Sequence, residues 1–174
     1  MKRSSIAVCA LLLAGAAAAN QHTEALPQAA HFKKAAGTWD ATVEGEGPAS
    51  KGVETVRLIG DGMWAISDFE ATMSQGPFTG HGVSGYDPVK KKYVGVWVDT
   101  MSPIPFHMEG EMDTAGKVMT SKGMMPDPSD PTKTLEATMV ETWLDADTRT
   151  FSMRVAGPDG KAMEMMKITY KRRK

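Results

Sequence analysis

The chain has 174 residues, 20 Lys and Arg against 21 Asp and Glu, 41% hydrophobic residues and a single cysteine. That length suits one domain behind a leader, and the slight negative balance argues against a nucleic-acid partner, which would call for a basic face. With one cysteine no intrachain disulfide can form, so packing must hold the core.

The first residues read as an export signal. Met1-Lys2-Arg3 is followed by an apolar run from Ile6 to Ala19 that closes on Ala17-Ala18-Ala19, a small-x-small cleavage pattern. The run is short for a bilayer span, and Cys9 lies inside it rather than at its end, so neither a retained helix nor a lipid anchor is expected. Residues 1–19 are thus assigned to a signal peptide, 20–26 to a flexible mature N-terminus and 27–174 to one domain, exported to the periplasm or secreted. Cleavage would take the net charge from −1 to −3 by removing Lys2 and Arg3.

Pro27 and Gly37 bracket a helix-tolerant stretch, Ala29 to Ala36, which predicts a short N-terminal helix. From Gly37 onward the pattern alternates with period two, and turn residues recur about every 8–12 positions, the rhythm of an all-β sandwich or barrel. Trp39, Ala41 and Val43 form the apolar side of a first strand. Val53 to Ile59 and Met63 to Phe69 are joined at Gly60-Asp61-Gly62, a hairpin signal. Phe78 to Tyr86 carries Gly80, Gly82 and Gly85, which suit a bending sheet. Asp87-Pro88-Val89-Lys90 turns the chain into Tyr93 to Asp99. Next, Ile104, Phe106, Met108, Gly110 and Met112 form a face expected to be dry, opposite a wet face of His107, Glu109 and Glu111.

After the turn at Asp113 to Gly116 comes a strand from Lys117 to Lys122. Three prolines between Pro126 and Thr134 predict a long loop. Leu135 to Leu144, Thr150 to Val155 and Ala162 to Tyr170 complete the domain. A phase change between Met163/Met165 and Met166 predicts a bulge. Lys171 to Lys174 reads as a solvated tail. With no helix between strands the pairing must be antiparallel, and about ten strands in one small domain would leave raw edges unless the sheet closes.

Gly37-Thr38-Trp39 resembles the Gly-x-Trp start of lipocalin-like barrels. More of the chain resembles the bacterial domain-of-unknown-function 1579 family, through Gly85-Tyr86-Asp87-Pro88, Val94-Gly95-Val96-Trp97, Glu109-Gly110-Glu111-Met112-Asp113 with Gly116, and Tyr170-Lys171-Arg172. These segments span roughly residues 30–173. The resemblance implies an all-β fold: a single antiparallel lipocalin-like β-barrel of about ten strands with a short N-terminal helix, and no established activity. Related small barrels such as nitrobindins carry haem through a histidine on a late strand. No histidine follows His107 here, so no haem, and no other cofactor, is expected.

Chemistry is sparse. No nucleophile elbow, phosphate loop, dinucleotide fingerprint or zinc spacing is present. The chain has 14 methionines, but beyond the leader only four leucines, Leu26, Leu58, Leu135 and Leu144. Methionine fills irregular apolar space, so it either replaces leucine in the core or lines something adaptable. Its thioethers also suit Cu(I), with Met108/Met112 and Met163/Met165/Met166 as local clusters, although His107 points away from Met108 on a strand. Glu141 stands in the apolar i, i+2 series of Leu135, Ala137, Met139 and Trp143. A carboxylate there needs a partner, for which Arg154 is the candidate. His22 and His31 precede the β domain, which leaves His81, on a Gly-rich strand, as a possible interior polar group.

The expected function is binding of a small apolar or amphipathic ligand inside the barrel. Trp64, Trp97, Phe106, Met108, Met139 and Trp143 are the expected lining, with His81 and Glu141 as polar contacts, and no catalytic or metal residue is assigned. The rivals are an enzyme using the cavity, an interaction protein with a filled barrel, and a methionine-based copper binder.

Overall fold

A computed structural model describes residues 26–45, 47–127, 130–157 and 160–174. The expected signal peptide and most of the expected flexible N-terminus lie outside the described residues.

One short helix, α1 (Ala29–Ala35), precedes ten strands: β1 (Gly37–Gly45), β2 (Gly47–Ile59), β3 (Trp64–Met73), β4 (Gly76–Asp87), β5 (Lys92–Asp99), β6 (Ser102–Met112), β7 (Val118–Asp127), β8 (Asp130–Trp143), β9 (Thr148–Ala156) and β10 (Ala162–Arg172). Each strand pairs antiparallel with the next, and β1 pairs with β10, so the meander closes into a barrel. Closure removes both sheet edges, the liability that ten exposed-edge strands would carry. Trp39 lies opposite Arg172 on one side and Glu54 on the other, which sets the register at the seam.

The alternation read from the sequence sorts the two faces. Trp39, Ala41 and Val43 point inward and are buried, as are Ala137, Met139 and Trp143 of β8. The Gly60-Asp61-Gly62 hairpin forms between β2 and β3, with positive φ at all three residues. The bulge in β10 is present as a register shift between Glu164 and Met166.

Three expectations need correction. The segment 126–134 is not a long loop. β7 runs to Asp127 and β8 starts at Asp130, with Pro126 opposite Thr134, so most of the segment lies in strands. Pro126 and Pro131 sit near the ends of paired strands, where a missing N–H costs least. The inward face of β6 is not dry throughout. Ile104 remains 53% exposed because the β5–β6 pairing becomes irregular beyond Trp97 and Phe106. Nor is the basic C-terminus merely solvated: Arg173 pairs with Asp40, and Arg172 ties the helix to the barrel.

That tie explains α1. Seven residues are too few for a helix to persist alone in water. Phe32, Ala29 and Ala35 are buried against the barrel end. The Arg172 guanidinium donates to Ala36 O and Lys34 O, both at 2.7 Å, and lies over the Trp39 ring at 4.0 Å. It therefore satisfies carbonyls that a helix C-terminus leaves open. Gly37 follows with φ of +122°, and a Cβ there would stand 2.9 Å from the same guanidinium, so any larger residue would dislodge it.

Candidate functional site

The helix plugs one end of the barrel, and beneath it lies the main core cluster: Phe32, Trp39, Trp143, Phe69, Tyr170 and their neighbours. Trp39 is fully buried, and its indole N–H donates to Ala35 O at 2.9 Å. The Trp39 and Trp143 rings meet edge to face with centroids 5.7 Å apart.

Inside this aromatic shell sits a charge cluster. Arg149, at the start of β9, reaches across the interior to Glu54 on β2 and donates to Glu141 Oε2 at 3.0 Å. Arg149 and Glu54 are 4% and 7% exposed. Ser67 donates to the other oxygen of Glu54. The guanidinium stacks on Tyr170 at 4.1 Å and faces Trp39 at 4.8 Å. Burial disfavours the Arg149 charge, but the Glu141 and Glu54 carboxylates outweigh it and raise the pKa above its ordinary value. Burial, reinforced by Glu54, pushes the Tyr170 phenol well up, so it stays neutral. Two carboxylates against one guanidinium leave one formal negative charge. Removing a single partner from such a buried set typically costs about 3–5 kcal/mol.

The set is not fully satisfied. Among the described residues, Glu141 Oε1, Trp143 Nε1 and Arg149 Nε are buried without a hydrogen-bond partner. An unpaired buried polar atom costs about 1–3 kcal/mol, so each calls for an explanation.

Glu141 has one beside it. A partly enclosed cavity of about 130 Å³ lies within the barrel under α1, lined by Phe32, Tyr93, Met108, Met119, Met139 and Phe151 together with His31 and Glu141. The His31 ring packs edge-on against Phe32 and Tyr93. Burial lowers its pKa, with Arg149 and Lys34 adding to the effect and Glu141 opposing it, so the ring is held neutral. Burial, helped by Tyr86, raises the pKa of Tyr93. The cavity is thus largely apolar, with two uncharged polar rings, the hydroxyls of Ser84 and Ser121, and one carboxylate.

The expected lining residues divide. Met108, Met139 and Glu141 line this cavity, and Trp143 belongs to the wall behind it. Trp97 and Phe106 also point inward, paired across β5 and β6 further toward the other end. Trp97 lies over Gly80 and Gly82, where a side chain would displace it, and its indole donates to Asp99. Trp64 and His81 do not face the interior. The pleat turns both outward: Trp64 covers Gly85 on the outer surface, and His81 is exposed beside Asp68. The expected Glu141–Arg154 pair also fails. Arg154 lies opposite Thr138 on the outer face and pairs with Glu164, while Arg149 has the inward parity. The candidate copper ligands scatter: Met163 is 46% exposed, and His107 faces solvent. No group of three or more His, Cys, Asp or Glu able to hold a metal is found among the described residues.

Sequence reasoning missed His31, Glu54 and Arg149. The signal was there for the last two. Extending the apolar series Val155, Met153, Phe151 back by one step reaches Arg149, and extending Leu58, Val56 back reaches Glu54. Both are charges on apolar faces, like Glu141.

The family model described as "Protein of unknown function (DUF1579)" matches residues 24–172. No curated protein matches the chain. Among solved structures, Rv2717c from M. tuberculosis is 12% identical, with 86% of this chain and 99% of that chain covered and a TM-score of 0.60. The S-type phycobiliprotein lyase CPES from Guillardia theta is 13% identical, with 83% and 92% covered and a TM-score of 0.56. At these identities the likeness shows a shared lipocalin-like barrel fold and nothing more.

Proposed function

The chain belongs to the DUF1579 family of unknown function, and we propose that it is an exported barrel that binds one small apolar or amphipathic molecule in its interior. The observation that carries this reading is the cavity of about 130 Å³ lined by Met108, Met119, Met139, Tyr93 and Phe151. An apolar cavity of about 150 Å³ is large enough for benzene, whereas drug-sized sites run to about 300–1,000 Å³. The occupant is therefore small, or the flexible methionines move to admit it. Export rests on the cationic, apolar and small-x-small order of the first 19 residues.

Native mass spectrometry of protein purified without denaturation should show an added small mass. Calorimetry with ethylbenzene as probe should show a negative heat-capacity change, the sign of apolar burial. Met108→Trp should fill the space and abolish that binding while the barrel still folds. If the variant instead loses about 1–3 kcal/mol through overpacking and wild-type protein takes up no probe, the interior is filled and the ligand reading is lost. N-terminal sequencing of the exported protein should begin at Asn20.

A further inference from the structure

We infer that the cavity selects ligands bearing a protonated amine, held by the Glu141 carboxylate; this rests on the ligand-binding reading above and specifies its chemistry. Glu141 has two oxygens in different roles. Oε2 accepts from Arg149 at 3.0 Å, whereas Oε1 is buried and has no partner, on a residue that lines the cavity. A buried carboxylate oxygen accepts hydrogen bonds and cannot donate them, so the complementary group must carry N–H or O–H. The two orphan donors, Trp143 Nε1 and Arg149 Nε, belong to residues that do not line the cavity, and the donors that do line it, on Ser84, Ser121, Tyr93 and His31, are uncharged, so no cation awaits an anion there.

The surrounding charges favour a cation over a neutral donor. Glu54 and Glu141 exceed Arg149 by one negative charge, His31 is held neutral by burial, and Tyr93 and Tyr170 are kept protonated. Lys34 and Arg172 are the other nearby cations, and Arg172 lies over the Trp39 ring at 4.0 Å without lining the cavity. Lys34 lies over the Trp143 ring at 4.1 Å and does not line the cavity. The rings of Phe32, Tyr93 and Phe151 can take a small aliphatic or aromatic body while the ammonium meets Glu141. The faces of aromatic rings also attract an organic cation.

The test compares benzylammonium, ethylbenzene and benzoate, three probes of similar body and different head, by calorimetry on the full mature chain. Benzylammonium should bind at least about tenfold tighter than ethylbenzene, the worth of one hydrogen bond to a charged group, and benzoate should bind worst. Glu141→Gln should abolish the preference, so that benzylammonium and ethylbenzene bind the variant about equally. If ethylbenzene equals benzylammonium in the wild type, or benzoate binds best, the amine inference falls and the ligand-binding reading stands. If none of the three binds, both fall. Should Glu141→Gln fail to fold, the wild-type ranking decides alone.

Discussion

The two ends of the barrel hold themselves together differently. Under α1, Trp39 and Trp143 pack edge to face beside Phe32 and Tyr170 around a buried ion cluster, and Arg172 fastens the helix to the last strand. Toward the other end the buried cluster among the described residues is small: Ala137, Met139 and Val155. Around them Phe106, Met108, Met125, Leu135, Met153 and Met165 are partly covered, and Ile104 and Met163 stand out into solvent. Rigid rings with one allowed arrangement fix the capped end, whereas unbranched thioethers with many rotamers line the rest. The cavity lies where the two regimes meet, with Phe32 and Tyr93 on one side and Met108 and Met139 on the other. A barrel built this way can keep its shape at one end and adapt its interior further in.

The largest break of that contrast should come from Trp39→Ala. Its indole is fully buried and bonded to the helix, so the change should cost about 3–5 kcal/mol in denaturant titration and loosen α1. A loss under about 1 kcal/mol would mean that the capped end is no more tightly specified than the other.

A smaller effect should follow from acid. The folded-state pKa of His31 lies below its ordinary 6.5, so folding favours the neutral ring. Its contribution is fully present above about pH 6.5 and is lost as pH falls from there toward the folded value, because the unfolded chain takes up the proton first. Comparing wild type with His31→Gln by denaturation from about pH 7.5 to about 5.5 isolates that component. Wild type should lose stability over this range more steeply than the variant. Equal slopes would show that His31 carries no linkage.

The smallest effect should come from Met153→Leu. It is a volume-conserving swap on the adaptable side and should cost less than about 1.5 kcal/mol. Thermal unfolding checks this, and a cost matching that of Trp39→Ala would erase the distinction between the ends.

Some of this was legible residue by residue. Pro27 and Gly37 bracketed the helix, Gly60-Asp61-Gly62 marked a hairpin, the period-two runs located ten strands, and the phase change after Met165 marked the bulge. Each of these is a local property, written within a few neighbouring residues by backbone preference and side-chain alternation. Alternation also showed that Glu141 shares a face with Met139 and Trp143. It could not say which face of β3, or of the Gly-rich β4, closes inward, so Trp64 and His81 were placed inside when the pleat turns them out. Nor could it pair Glu141 with Arg149 and bring Glu54 to the same guanidinium from 95 residues away. Those contacts exist only once the sheet closes, because β2 and β9 face each other across the interior without touching as neighbours in the sheet. The strand inventory was therefore settled by local chemistry. The site under the helix, with His31, Glu141 and the cavity between them, was decided by barrel closure, which alone sets what lies opposite what.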